Sequence, residues 1–349
     1  QLSRISELIE SAFDKKHHTV ALFLDIARAF DRVWTEGLLY KLMKMHMPAY
    51  LLCIIKSFLT NRTFSVRINS TLSKIGTIAA GVPQGSIIGP TLFNIYMCDI
   101  PEPINSTIAM YADDTILLSQ HFDILTAARH LQEYADTLLT WYEKWCIRLN
   151  ATKCEAKIFT LRRPVLPPNI IIDTQQIQWN PSDSAVKYLG VFLDRKLTWA
   201  YHINKKLNEA YTRLALLYPI VNRKSPLQHD VGCLMYTSII RPVLTYACQI
   251  WGAASHTHLR KLQILQNKII RIIFNAPWFM RNSQLHREAN IPPIKDFIKA
   301  TSRTYFQTIR QCEGARSYNT GAKGIHTRLK RQLPQDIYLH TTSTDDSDQ

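Results

Sequence analysis

Two adjacent carboxylates, Asp113 and Asp114, separate two short apolar runs, and no other feature constrains the fold of this sequence as tightly. Residues 107–112 (Thr-Ile-Ala-Met-Tyr-Ala) precede the pair and residues 115–118 (Thr-Ile-Leu-Leu) follow it. Each run has the length and apolar content of a buried strand. Joined by a tight Asp-Asp turn, they make a hairpin with both carboxylates at its tip. Charges at the edge of an apolar sheet cost free energy unless something binds them, and a divalent cation does so. Taken alone, the pair has a blander alternative reading, as a plain hairpin cap.

A third carboxylate has the same setting. Residues 20–24 form an unbroken apolar run, Val-Ala-Leu-Phe-Leu, that stops at Asp25. The run reads as a central strand, and the residues after it turn helical in composition. Three carboxylates at neighbouring strand ends can hold two Mg²⁺ ions roughly 3.5–4 Å apart, the arrangement for in-line phosphoryl transfer. Between them in sequence, residues 80–90 carry Gly81, Gly85 and Gly89 with Pro83 and Pro90 ahead of an apolar helical stretch. Such a loop lets backbone approach a nucleotide closely, although by itself it is also an ordinary turn.

Five blocks then fall in a set order. They are Phe23-Leu24-Asp25-Ile26 with Ala29-Phe30-Asp31-Arg32-Val33-Trp34; Gly81-Val82-Pro83-Gln84-Gly85-Ser86 with Gly89-Pro90-Thr91-Leu92-Phe93; Tyr111-Ala112-Asp113-Asp114; Leu149-Asn150 with Lys153-Cys154-Glu155; and Lys187-Tyr188-Leu189-Gly190-Val191. Spanning about residues 18–195, they resemble the palm motifs of reverse transcriptases carried by non-LTR (LINE-type) retrotransposons, most nearly the Jockey-like elements of insects. Thr35 stands where that family often has a histidine after the tryptophan.

The resemblance implies an RNA-directed DNA polymerase that uses two Mg²⁺ ions (or Mn²⁺), an RNA template, a DNA primer and deoxynucleoside triphosphates. Asp25 and Asp113 would bind the catalytic metal, with Asp114 completing the cluster. Phe30 would pack under the incoming sugar and exclude a ribose 2′-hydroxyl, or simply be a core aromatic. Gln84 and Gly85 would lie near the incoming nucleotide. Lys153 would act near the departing pyrophosphate, or be a solvated lysine. Tyr188, Leu189 and Gly190 would form the primer grip, or an ordinary hairpin. Asp31 and Arg32 receive no chemistry. The family also carries fingers segments upstream of its first motif, and none matches the 24 residues before Asp25. The chain is therefore read as a segment of a longer polyprotein, the alternative being a truncated, non-catalytic nucleic-acid-binding relic.

The fold expected is α+β: a right-hand polymerase palm, with a four-stranded antiparallel sheet and helices on one face, then an all-helical thumb-like region. The palm would occupy residues 1–195 with partial fingers inserted at about 36–80, the thumb 196–275, and a basic C-terminal region 276–349 with a disordered tail from Thr341. Helices are expected at 37–45 and 49–59, and a strand at 63–68 with a turn at Asn69-Ser70. An apolar stripe, Leu125, Ala128, Leu131, Ala135, Leu138, Trp141 and Trp145, predicts a long helix behind the sheet. A further helix is expected over 238–251, kinked at Pro242.

The net charge of +15 points to an anionic partner. Between Ser255 and Arg331 there are fifteen Lys and Arg against three acidic residues, so this half is expected to grip phosphate backbone. Its clearest device is an amphipathic stripe, Leu259, Leu262, Leu265, Ile269, Ile272 and Ile273, flanked by Arg260, Lys261, Lys268 and Arg271. The seven cysteines are odd in number and lack CxxC spacing, which fits reduced thiols in an intracellular protein. No apolar run reaches the roughly 18 residues that span a bilayer.

Overall fold

The computed structural model describes residues 1–163, 165–222 and 228–311. Two compact units result: residues 17–181, and residues 2–16 together with residues 182 onward. Helix α1 (Leu2–Asp14) therefore belongs to the second unit, although the sequence reading placed it with the palm.

The first unit contains, in order, β1 (His18–Asp25), α2 (Thr35–Lys44), α3 (Ala49–Leu59), β2 (Arg62–Phe64), β3 (Arg67–Ile68), β4 (Thr71–Leu72), β5 (Gly76–Ile78), α4 (Gly89–Tyr96), β6 (Ser106–Tyr111), β7 (Asp114–His121), α5 (Ile124–Lys144), β8 (Glu155–Phe159), β9 (Ile170–Ile172) and β10 (Gln175–Ile177). Its main sheet has the order β6-β7-β1-β8 and is antiparallel throughout. Strand β1 is buried from His18 to Leu24, which is why its sequence is apolar without alternation. Helix α5 starts where the Asp123 carboxylate accepts the Thr126 N–H at 2.9 Å. Its Ala128, Leu131, Ala135, Leu138 and Tyr142 share one core with Val20, Leu22, Leu24 and Leu117 of the sheet. Leu125 was expected in that stripe but is 52% exposed. It sits about 100° round the helix from the buried Ile124, which takes the inward position.

Residues 36–80, expected as a partial fingers insertion, fold as α2, α3 and a ribbon of β2–β5. The ribbon was expected to hold one strand over 63–68. It breaks instead after Phe64, because Val66 turns to bond Ser73, donating its N–H to the Ser73 hydroxyl and accepting the Ser73 N–H, both at 2.8 Å. The Asn69-Ser70 turn is where it was expected, with Asn69 in the left-handed region at φ 54°.

The second unit continues with β11 (Ala185–Tyr188), β12 (Val191–Asp194), α6 (Ala200–Val221), α7 (His229–Met235), a π-helical turn (Tyr236–Ile240), α8 (Arg241–Thr245), α9 (Cys248–Trp251), α10 (His256–Ile273), α11 (Asn282–Glu288) and α12 (Ile294–Gln311). Ile203, Leu207, Ala210 and Leu214 of α6 are buried as their spacing predicts. The helix expected over 238–251 is broken, but at Tyr246-Ala247, where Ala247 takes φ 53°, and not at Pro242. Pro242 lies in the first turn of α8, where a missing N–H costs little. In α10 the buried stripe includes Gln266 and Ile270, while Ile272 is only half-buried. The Gln266 amide is satisfied by the Pro292 carbonyl and the Ile294 N–H.

Cys53, Cys98, Cys146, Cys154, Cys233 and Cys248 are free thiols. Among the described residues no helix is long and apolar enough to cross a membrane. Cys312, the tail from Thr341, and the basic residues Arg316, Lys323, Arg328, Lys330 and Arg331 lie outside the described residues.

Candidate active site

The sheet register brings the acidic residues to one end of the first unit. Asp25, the last residue of β1, lies directly opposite Asp114, the first residue of β7. Tyr111 also pairs with Asp114, so the two-residue turn of the hairpin is Ala112-Asp113 and not the Asp-Asp turn expected. Pairing with β1 draws Asp114 into the strand and leaves Asp113 at the tip, and both are exposed. Ala112 adopts φ 53°, a conformation that costs an alanine of order 1–3 kcal/mol and is typically held at functional sites.

Like charges directly opposite one another in a ladder repel. The Asp25 side chain is 42% exposed, and the Lys153 ammonium stands 3.8 Å from its Oδ2. An exposed pair at that distance adds little stability, but it puts a cation beside the carboxylate end of the sheet. The Asp25 backbone is fixed from both sides, by β7 and by the Asn150 N–H, which donates to its carbonyl at 2.8 Å. Residues 148–150 continue this clamp: Ala27 donates to the Arg148 carbonyl at 2.9 Å, and Ile26 bridges Leu149. Cys154 lies buried beneath; burial pushes its thiol up from the ordinary value, and it donates to the Asn150 carbonyl at 3.4 Å.

The first and second blocks are joined by backbone. Gly81 N–H donates to the Val33 carbonyl, and Val82 N–H to the Phe30 carbonyl, both at 2.8 Å. Gly81 has φ +89°, and a Cβ there would stand 2.6 Å from the Asp31 carbonyl oxygen, so only glycine fits. Gln84 is exposed, and its Nε2 donates to Asp31 Oδ1 at 2.9 Å. Arg62, from strand β2, donates to the carbonyls of Ala80 (2.8 Å), Gly81 (2.6 Å) and Leu59 (3.2 Å). Asp31 and Arg62 thus hold the loop that carries Gln84. Sequence alone assigns no chemistry to either, and the only signal for Asp31 is its place in the first block. Gly85 has φ +78° with open space where a Cβ would be. Phe30 is half-buried and stacks on Phe93 with centroids 4.6 Å apart.

The remaining candidates lie in the second unit. Leu189 (φ 45°) and Gly190 (φ 77°) make the two-residue turn of the β11–β12 hairpin, with the paired positive φ values of a type I′ turn. The Tyr246 hydroxyl donates to the Leu189 carbonyl at 2.9 Å and its ring backs Gly190. Tyr188 is buried, while Leu189 and Gly190 at the turn are half-buried. On α10, Arg260, Lys261 and Lys268 are exposed, with Lys261 donating to Asn204 at 3.0 Å. Arg271 instead points its guanidinium at the carbonyls of Pro277 (3.0 Å) and Met280 (2.5 Å) and at the Asn282 side chain (2.9 Å).

Among the described residues no three His, Cys, Asp or Glu side chains form a group that could by itself hold a metal ion. The donor chemistry nevertheless suits a hard cation. Mg²⁺ in phosphoryl-transfer sites is held by one or two carboxylates plus substrate phosphates, and Asp25 and Asp114 supply two on adjacent strands with Asp113 next in sequence.

The reverse transcriptase (RNA-dependent DNA polymerase) family model matches residues 1–193, over half of the chain, and the chain belongs to that family. Among named relatives, it is 36% identical over 346 residues to the RNA-directed DNA polymerase from mobile element jockey of Drosophila melanogaster, a match covering 95% of this chain and 37% of that protein. It is 35% identical over 349 residues to the probable RNA-directed DNA polymerase from transposon X-element of the same species, covering 99% and 38%. The chain thus spans less than two-fifths of the length of these relatives. Of solved structures, apo telomerase from Candida tropicalis is similar at a TM-score of 0.40 and 9% identity, covering 87% of this chain and 54% of that one.

Proposed function

We propose that this chain is the polymerase segment of a non-LTR retrotransposon protein, adding deoxynucleotides to a primer 3′-hydroxyl on an RNA template by two-metal phosphoryl transfer. The observation that carries the reading is the placement of Asp25 opposite Asp114, with Asp113 on the adjoining turn, at a sheet end whose backbone is clamped on both sides.

Asp25, Asp113 and Asp114 would hold the Mg²⁺ ions. When bound, Mg²⁺ supplies Lewis-acid activation of the attacking hydroxyl and counter-charge for the leaving pyrophosphate. The chain's own contribution is preorganisation. The ladder and the Asn150 bond fix the Asp25 main chain before substrate arrives, so little reorganisation is left for the reaction. Phe30, seated on Phe93, would pack under the sugar and exclude a ribose 2′-hydroxyl. Gln84, tethered by Asp31, would face the incoming nucleotide, and the bare Cα of Gly85 lets substrate approach the backbone. Lys153 would protonate or neutralise the departing pyrophosphate. The Leu189-Gly190 turn would steady the primer end, and Arg260, Lys261 and Lys268 would pair with phosphates.

The test is extension of an oligo-dT primer on poly-rA with dTTP and Mg²⁺. The wild-type chain is expected to incorporate dTMP. Asp25→Asn and Asp113→Asn should each lower the rate by about 10³-fold, the scale of removing one transition-state electrostatic interaction, while primer–template binding stays intact. Tight binding with no incorporation by the wild-type chain would defeat this reading and favour a non-catalytic nucleic-acid-binding relic.

A further inference from the structure

A second site lies at the start of α2, in a cavity of about 730 Å³. Its floor is built around Lys41. That ammonium is buried within three rings, 3.6 Å from the Trp145 centroid, 4.8 Å from Trp141 and 4.9 Å from Tyr96. It is ion-paired to Asp99 at 2.5 Å and bonded to the Tyr96 carbonyl. The floor is therefore rigid, and Asp99 cancels its charge.

The rim differs. Trp34 is 41% exposed and Tyr40 47% exposed, so two rings line the rim. Trp34 is held in place. Its indole rests on Gly37, where a Cβ would stand 2.4 Å from the ring, and its backbone N–H donates to the Tyr96 hydroxyl at 3.4 Å. The same hydroxyl donates to the Trp145 carbonyl, so Tyr96 ties the main chains of Trp34 and Trp145 together. A glycine inside a helix costs about 0.5–1 kcal/mol, and here its bare Cα seats an exposed aromatic. Lys44 and Lys144 stand exposed on the rim, giving it uncompensated positive charge beside the neutralised floor.

From these features we infer that the cavity binds one unpaired nucleotide of a single-stranded nucleic acid, its base stacked on Trp34 and its phosphates paired with Lys44 and Lys144. The volume is in the range of sites that take small ligands. A fixed π-face beside cations is how strands are held without sequence preference. A duplex keeps its π-faces stacked inside, so the ligand is an unpaired strand. Charge complementarity with a chain of net charge +15 favours nucleic acid over an acidic peptide, which would not need an aromatic platform. The inference rests on the proposed function only in taking nucleic acid as the partner.

The experiment is anisotropy titration of the full chain with fluorescein-labelled dT20 and rU20, without nucleotides or divalent cations. Trp34→Ala is expected to weaken binding about tenfold, the worth of one base–aromatic stack, and Trp34→Phe to recover most of it. The Lys44→Glu/Lys144→Glu chain should bind more weakly, with a shallower salt dependence. 5-Iodouracil-substituted dT20 should photocrosslink to the peptide carrying Trp34 and Tyr40. Unchanged affinity in both the Trp34→Ala and the double-lysine chains would overturn the proposal, as would crosslinks confined to other peptides. Where Trp34→Ala fails to fold, the crosslink and the lysine chain decide. Because no chemistry is measured, failure here leaves the polymerase reading standing, and a chain that fails to polymerise can still bind at this site.

Discussion

Asp31 is exposed and six residues past the candidate metal ligand Asp25, yet it sets the position of Gln84. An exposed hydrogen bond of this kind is worth about 1 kcal/mol. Asp31→Ala is therefore expected to raise the KM for dNTP about fivefold with little change in kcat, while Asp31→Asn, which keeps an acceptor oxygen, stays near wild type. Steady-state dNTP titration on a fixed primer–template checks it; equal losses in both variants would show that the carboxylate acts elsewhere. Gly81 gives a prediction about stability. Its neighbour in the way of a Cβ is the Asp31 main chain, which cannot swing aside, and its φ is positive. Gly81→Ala should destabilise the fold by at least about 2 kcal/mol in urea unfolding.

Among the elements, the junction between the β11–β12 hairpin and α6 carries a pH dependence. His202 on α6 is fully buried, accepts the Phe192 N–H of β12 on its Nδ1 at 3.3 Å, and lies 5.7 Å from the Trp251 ring. Burial first, and Lys206 second, push its pKa down to about 4. The unfolded chain has a histidine near 6.5. Above that value both states are neutral and the group has no effect. As the pH falls from 6.5 to 4, the unfolded state takes up a proton that the folded state refuses, so stability declines, by about 3 kcal/mol at most. Urea midpoints of the His202→Asn chain should fall less steeply than wild type between pH 6.5 and 4.5. Parallel curves would mean that acid acts through the carboxylates alone.

On the scale of the whole molecule, the net charge of +15 favours an anionic partner, and α10 exposes Arg260, Lys261 and Lys268. Arg260→Glu/Lys261→Glu/Lys268→Glu should weaken binding to an RNA–DNA duplex and flatten its dependence on salt, by nearly one power of salt concentration for each phosphate left unpaired. Arg271→Ala belongs to a different class. Its guanidinium pins the 277–282 turn, so its removal should lower the melting temperature and leave the salt slope alone. A slope unchanged by the triple reversal would remove α10 from the interface.

Local pattern was enough for β1, β6, β7, α5 and α10, because a buried strand needs consecutive apolar residues and a packed helix needs them every three to four; it missed the breaks after Phe64 and at Tyr246-Ala247. Asp25 and the Asp113-Asp114 pair were legible for the same reason: each closes or opens an apolar run. Tertiary structure decided what depends on partners far apart in the chain. Only the β1–β7 register shows that Asp114 faces Asp25 and that the turn is Ala112-Asp113. Only packing joins Gln84 to Asp31, 53 residues apart, or gathers Trp34, Tyr96 and Trp145 around Lys41. Periodicity records which side of an element is apolar; it carries no record of what that side, or the polar one, will meet.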